Sequence, residues 1–122
     1  MRNLRLIERA TGRCLLEKVG VAETVMSRFL GLMGRKGLEP GTALYIPACS
    51  SIHMFFMRFA IDAVYVDEEL KVRKIVARLR PWRLSWCRAA YGVLEAPAGW
   101  AEQVALREGV RLSLEEATGS ET

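Results

Sequence analysis

The first twenty residues alternate between apolar and polar side chains in two short runs. LRLIER (4–9) and CLLEKVGV (14–21) are separated by ATGR, which contains a Thr-Gly pair of the kind found in tight turns. This pattern predicts a β-hairpin at the start of the chain.

The following segment has helical instead of strand periodicity. Val25, Phe29, Leu32 and Met33 recur at the spacing that places side chains on one face of a helix. Glycines end this pattern, so we predict a helix over Ala22–Gly34, the longer of two in the chain.

From residue 43 onward the β signal dominates. The predicted strands are ALYIPA (43–48), IHMFF (52–56), AVYVD (63–67), LKVRKIVARL (70–79), YGVLEAPAG (91–99, ending at Pro97) and GVRLSLE (109–115). In the fourth run the alternation shifts near Arg73–Lys74, which predicts a β-bulge there. RPWRLSW (80–86) is interpreted as a loop whose two tryptophans pack inward, and WAEQVALRE (100–108) as a short late helix.

This order of elements predicts an α+β domain. We expect a mostly antiparallel curled sheet or small barrel, with one longer helix early and one short helix late. At 122 residues the chain is long enough for one core. We expect a single compact domain over residues 1–114 and a polar, flexible tail over residues 115–122.

The composition is that of a globular protein in water. Hydrophobic residues make up 51% of the chain and charged residues 26%, and no apolar run is long enough to span a bilayer. The N-terminus lacks the continuous apolar segment of a signal peptide, so we expect a cytoplasmic protein.

The cysteines do not form a recognisable framework. Cys14, Cys49 and Cys87 lie far apart, without a C-x-x-C pair, and the chain has one histidine. This pattern favours reduced thiols, and it predicts neither a metal site nor a cofactor.

Positive charge is concentrated in one segment. Residues 71–88 carry seven basic side chains and no acidic one, interleaved with Trp82 and Trp86, and the whole chain has a net charge of +4. Such a segment suits weak, non-specific attraction to nucleic acid or another anionic partner. It is more typical of a solvated strand face followed by a loop.

Three motifs together resemble a known family. RFLGLMGR (28–35), IHMFFMRFAIDAVYVD (52–67) and VLEAPAGW (93–100) have the order and spacing of the prokaryotic family called domain of unknown function 192. The resemblance implies a compact α+β domain with a small barrel-like core, and it implies no established activity. Met54 and Ala60 stand where the family motif has threonine and proline, so one hydroxyl is lost from the motif.

The central motif also places charged groups among apolar ones. Arg58 and Asp62 flank a predicted bend, where we expect them to satisfy each other or nearby backbone groups. With His53 and Glu95 they form the candidate ligand-binding set: His53, Arg58, Asp62 and Glu95. No catalytic nucleophile is evident.

Three functions remain open from the sequence. The favoured one is a non-enzymatic binding module, with a pocket near His53, Arg58 and Glu95 for a small polar ligand, a sugar or a peptide end. The second is a small hydrolase-like enzyme with His53 as general base. The third is an interaction module for nucleic acid or another anionic partner through residues 71–88.

Overall fold

β-Strands account for most of the protein that the structure, a computed structural model, describes: residues 3–22, 37–55 and 57–116. The strands are β1 (Asn3–Glu8), β2 (Cys14–Val21), β3 (Thr42–Ile46), β4 (Ser51–His53), β5 (Ile61–Val66), β6 (Val72–Leu79), β7 (Leu84–Trp86), β8 (Gly92–Pro97) and β9 (Leu112–Glu116). The helix described in these ranges is α1 (Trp100–Gln103). Within them no helix has the length and apolar character needed to cross a membrane.

Seven of these strands form one sheet. Their order is β6-β5-β8-β3-β2-β1-β9, and β4 pairs with β7 in a separate two-stranded ribbon. Neighbours run antiparallel except for β2 and β3, which are parallel. We call the β4–β7 pair, with the residues that flank it, the ribbon.

The large sheet curls until its two edges meet. An antiparallel bridge joins Lys71, just before edge strand β6, to Arg111, just before edge strand β9. The N–H of Val72 donates to the carbonyl of Val110 at 2.9 Å, and that of Leu112 donates to the carbonyl of Leu70 at 2.9 Å. Pairing at this end leaves less unsatisfied edge backbone than an open sheet would.

Both faces of the sheet are covered, and each has its own apolar core. Val64, Leu94 and Trp100 belong to the core that includes α1, whereas Tyr65 and Val93 belong to the core beneath the ribbon. Every residue of β5 is buried, as expected for a strand between two neighbours with both faces covered. A polar residue in β5 therefore has to find its partners inside the protein.

The prediction of an α+β domain is wrong for the described residues, which are mostly β with one short helix. The longer helix predicted over Ala22–Gly34 falls almost entirely on residues 23–36, which lie outside the described ranges. The mostly antiparallel, curled sheet is confirmed. The first hairpin and the end of β8 at Pro97 are also confirmed. So is an irregularity of β6 near Arg73, because Tyr65 and Val66 of β5 pair with Lys74 and Val72 and the pairing passes over Arg73.

The late helix is shorter than its apolar pattern predicted because the chain turns at Ala105. This residue has φ of 55°, in the left-handed region. The N–H of Ala105 donates to the carbonyl of Glu102 at 3.1 Å, and that of Leu106 to the carbonyl of Ala101 at 2.9 Å. These two bonds form a Schellman motif, which ends a helix and usually contains glycine at the left-handed position.

We expect Ala105→Gly to raise the free energy of unfolding by about 0.5–1 kcal/mol. The left-handed conformation costs alanine roughly 1–2 kcal/mol, and the entropy that glycine gains in the unfolded chain offsets part of this. Ala105→Val is the matched control and should destabilise, since a β-branched residue fits this φ worse. Urea denaturation of the three proteins measures both changes, and a less stable glycine variant would contradict the assignment.

Candidate functional site

Asp62 in β5 has a fully buried carboxylate that collects backbone donors. Oδ1 accepts from the N–H of Arg78 at 2.9 Å and of Gly99 at 3.1 Å, and Oδ2 accepts from the N–H of Ala101 at 2.8 Å. These donors belong to a bulge in β6, where Arg78 has φ of 52°, and to the start of α1. Asp62 thus joins three segments of the chain.

Arg58 is not the partner of Asp62. Its side chain is exposed, and it takes part in none of the ion pairs formed among the described residues. The charge of Asp62 is instead met by backbone N–H groups, the other arrangement that the sequence left open.

Glu95 is fully buried on the opposite face of the sheet from Asp62. In the β5–β8 pairing Glu95 lies opposite Ala63, and Asp62 lies opposite Ala96. Directly paired residues share a face and neighbours in a strand do not. Glu95 is therefore on the side of Tyr65 and the ribbon. Burial is the main cause that raises the pKa of Tyr65, and the charge of Glu95 raises it further.

His53 ends β4 and is partly exposed on the outer side of the ribbon. It pairs with Leu84 of β7, and its ring lies 4.8 Å from the ring of Phe55, centroid to centroid. The N–H of Phe55 lies 3.4 Å from His53 Nδ1, a long hydrogen bond. With Leu84 and Trp86, His53 lines an open cleft of about 400 Å³.

The four predicted site residues are therefore not brought into one pocket. His53 and Arg58 are accessible near the ribbon. Glu95 is buried beneath the ribbon, and Asp62 is buried on the other face of the sheet. A second cleft of about 410 Å³ lies beside α1, where Asp62, Arg78 and Arg107 are among the lining residues. Within the described ranges no group of three or more His, Cys, Asp or Glu side chains is placed to hold a metal ion.

The underside of the ribbon fastens it to the sheet. Ile52 and Met54 are buried in the core beneath it, and the buried hydroxyl of Ser85 accepts a hydrogen bond from the Tyr65 hydroxyl at 3.0 Å. Backbone bonds continue the ribbon past its strands: the N–H of Met54 donates to the carbonyl of Arg83 at 2.9 Å, and that of Trp82 donates to the carbonyl of Met54 at 2.7 Å.

The outer face of the ribbon is apolar although it faces solvent. Trp82, Leu84 and Trp86 are 59%, 59% and 62% exposed, and Phe55 is 39% exposed. The rings of Phe55 and Trp82 are stacked at a centroid distance of 5.8 Å. The prediction that both tryptophans pack inward is wrong. We call Ser51, His53, Phe55, Trp82, Leu84 and Trp86 the ribbon surface.

Arginines flank this surface on both sides along the chain. Arg80 and Arg83 flank Trp82, Arg88 follows Trp86 by two residues, and Arg58 follows Phe55 by three. All four are exposed, and none belongs to an ion pair among the described residues. By contrast Arg73 is paired with Asp67 at 3.5 Å and Arg78 with Glu102 at 3.3 Å.

A sequence signal for this surface was present in the alternation of residues 80–88. Arginine, tryptophan, leucine, tryptophan and arginine occupy every second position, and all five are exposed. Alternation is the pattern of a strand with one outward face. Sequence reasoning missed it because large apolar side chains are normally assigned to the buried face.

Most of the chain matches the profile of a known protein family. The profile of the DUF192 family, described as "Uncharacterized ACR, COG1430", matches residues 6–114. The chain belongs to the DUF192 family. The resemblance noted in the sequence is thereby confirmed.

Relatives of this DUF192 chain include two archaeal proteins of similar name. UPF0127 protein TK1120 of Thermococcus kodakarensis is 32% identical over 113 residues, covering 88% of this chain and 71% of that protein. UPF0127 protein PF1050 of Pyrococcus furiosus is 33% identical over 105 residues, covering 83% of this chain and 90% of that protein.

Two crystal structures share the fold of this DUF192 chain. A Sinorhizobium meliloti 1021 protein named a "putative transcription regulator" superposes with a TM-score of 0.77 at 23% identity, covering 93% of this chain and 96% of that one. A Novosphingobium aromaticivorans protein of unknown function gives a TM-score of 0.74 at 18% identity, covering 91% and 83%. At these identities the likeness shows the fold alone.

In this DUF192 domain we expect Asp62→Ala to lower the free energy of unfolding by at least about 3 kcal/mol. Three N–H groups lose their acceptor, and each unsatisfied group costs about 1–3 kcal/mol. Asp62→Asn should cost only about 1–3 kcal/mol, because its oxygen can still accept two of the bonds.

Urea denaturation compares these variants with Glu108→Gln, an exposed carboxylate changed in the same way. We expect the order of stability to be wild type and Glu108→Gln, then Asp62→Asn, then Asp62→Ala. An Asp62→Asn protein as stable as Glu108→Gln would contradict the role assigned to these bonds.

Proposed function

We propose that the domain is a non-enzymatic binding module whose contact surface is the ribbon surface and whose partner is anionic. The observation that carries this proposal is that one two-stranded ribbon combines exposed aromatic groups with arginines that form no ion pair with any described residue. Scattered exposed hydrophobic residues need no explanation, but contiguous ones commonly mark interaction sites.

The way the ribbon is held supports a binding role. Its underside is fixed to the sheet through Ile52, Met54 and the Tyr65–Ser85 hydrogen bond, so its outer side chains project from a fixed base. The ammonium group of Lys74 donates to the carbonyl of Trp86 at 2.8 Å, which adds a positive charge beside the surface. A surface fixed before binding loses less conformational entropy when a partner arrives.

The sign of the local charge supports an anionic partner. Arg58, Arg80, Arg83 and Arg88 supply four positive charges, and residues 71–88 contain no acidic residue that would neutralise them. In the described β5–β6 region Asp62 is buried, Asp67 pairs with Arg73 and Glu69 pairs with Arg111, whereas Glu68 is exposed in the turn between the two strands.

The sequence predicted a ligand pocket near His53, Arg58 and Glu95, and in this proposal only two of these three residues contact the ligand. The burial of Glu95 supports a contact made by His53 and Arg58 at the surface, without a direct contribution from Glu95. A small polar ligand, such as an anionic sugar or the carboxylate end of a peptide, would use the same face as a larger anion.

The surroundings of His53 favour binding over hydrolysis. A general base is normally oriented by a second polar group and set against a nucleophile. Among the described residues the hydrogen bond of His53 goes to the backbone of Phe55, and the ring lies against the Phe55 ring. This is an environment for contact with a ligand.

A heparin fragment is a suitable anionic probe, and its affinity can be measured by isothermal titration calorimetry. We expect salt-sensitive binding that weakens at least about tenfold in Arg80→Glu/Arg83→Glu, because two attractive charges become repulsive ones. The matched control is Arg9→Glu/Arg107→Glu, which makes the same change in net charge at exposed positions outside the ribbon.

Equal loss in the two double variants would show that binding depends on net charge alone and would refute the ribbon as the contact surface. Absence of heparin binding by the unaltered protein at low salt would refute the anionic partner. Thermal denaturation of each variant establishes that it is folded.

A further inference from the structure

We infer that the anionic partner of the ribbon surface is a single-stranded nucleic acid, whose bases stack on the exposed aromatic rings while its phosphates contact the flanking arginines. This inference rests on the proposed function above and specifies its partner. It follows from three features of the ribbon: the kind of apolar side chain, the kind of basic side chain, and how the two alternate.

The exposed apolar side chains are mainly aromatic. The rings of Phe55, Trp82 and Trp86 are exposed, and Leu84 lies between the two tryptophans in sequence. Phe55 and Trp82 are already stacked with an interplanar angle of 29°, and His53 continues the row at 31° to Phe55. Rows of rings on a strand surface are how many proteins hold unpaired bases, since every base has a flat face to offer.

The basic side chains that flank the ribbon surface and form no ion pair in the described part of the chain are arginines. A guanidinium group can donate two parallel hydrogen bonds to a phosphate and can also stack on a ring or base. Arg80, Arg83 and Arg88 lie within two residues of a tryptophan, so base and phosphate contacts could follow one another along a strand of nucleic acid. The ammonium group of Lys74, by contrast, is bound to the carbonyl of Trp86.

The alternation of charge and ring argues against insertion into a lipid bilayer. Arg80 and Arg88 share the outward positions with Trp82, Leu84 and Trp86, so sinking these apolar side chains into hydrocarbon would carry two guanidinium groups towards it. The headgroups of an anionic membrane would therefore contact only the arginines, and the aromatic rings would bury little apolar area. A nucleic acid strand engages both.

The three tryptophans allow a direct spectroscopic test. Trp82 and Trp86 are exposed, whereas Trp100 is 5% exposed and its indole N–H donates to the carbonyl of Leu15 at 3.0 Å. An oligonucleotide of fifteen thymidines, about that length being enough to cross one such site, should quench the emission of the two exposed indoles. Affinity is measured separately by the anisotropy of a labelled oligonucleotide.

Two double variants separate stacking from charge. Trp82→Ala/Trp86→Ala should lose at least about tenfold in affinity for the oligonucleotide, because stacking on one ring alone commonly contributes that much. Trp82→Phe/Trp86→Phe keeps two rings and should bind within about threefold of wild type while the quenching disappears. Tyr91→Ala, at an exposed aromatic residue outside the ribbon surface, is the matched control and should bind normally.

The ligand series separates this inference from the proposed function. We expect the thymidine strand to bind at least about tenfold more tightly than an abasic strand of equal charge, and also more tightly than a duplex, whose bases are already stacked. Its log affinity should fall with log salt at a slope of about −3, corresponding to four phosphates neutralised on a single strand.

Equal binding of abasic and thymidine strands, with heparin binding retained, would overturn the nucleic acid inference and leave the anionic-partner proposal in place. Stronger binding to phosphatidylglycerol vesicles than to the oligonucleotide would also overturn it, in favour of a membrane surface. Loss of binding to heparin, both strands and vesicles alike would refute the proposed function itself.

Discussion

The carboxylate of Asp62 is the interaction on which the arrangement of this domain depends. It lies in β5, a strand between β6 and β8 in which every residue is buried, and it meets donors from two other segments, the β6 bulge and the start of α1. A buried charge without partners would cost far more free energy than any single one of these hydrogen bonds contributes. The bulge, the turn before α1 and the helix therefore have to be positioned where their N–H groups reach it.

The two faces of the sheet differ in what packs against them. The face with Asp62 packs against α1 and the apolar core around Trp100, and the Asp62 carboxylate holds the start of α1 through the N–H groups of Gly99 and Ala101. The other face carries the ribbon, whose lower side is buried and whose upper side remains apolar in solvent. Keeping two tryptophans exposed is a cost to solubility, and the proposed binding role would explain why this cost is retained.

Much of the β structure was accessible from the sequence because it rests on local patterns. The first hairpin, the end of β8 and the irregularity near Arg73 all follow from alternation and turn residues over a few positions. The candidate site was less accessible. His53, Arg58 and Asp62 share one motif and were predicted to form a single set with Glu95, but strand alternation turns Asp62 and Glu95 to opposite faces of one sheet.

The family, the strand-rich character of the chain and the concentration of basic residues in 71–88 can all be inferred from residue type and spacing alone. The partners of the Asp62 carboxylate and the aromatic rings that face solvent depend on the tertiary structure. Asp62 could have paired with Arg58, and Trp82 and Trp86 could have filled a core, without any change in local pattern. Those choices depend on which strands become neighbours, and the seven-stranded sheet with its separate ribbon settles them through contacts between residues far apart in the chain.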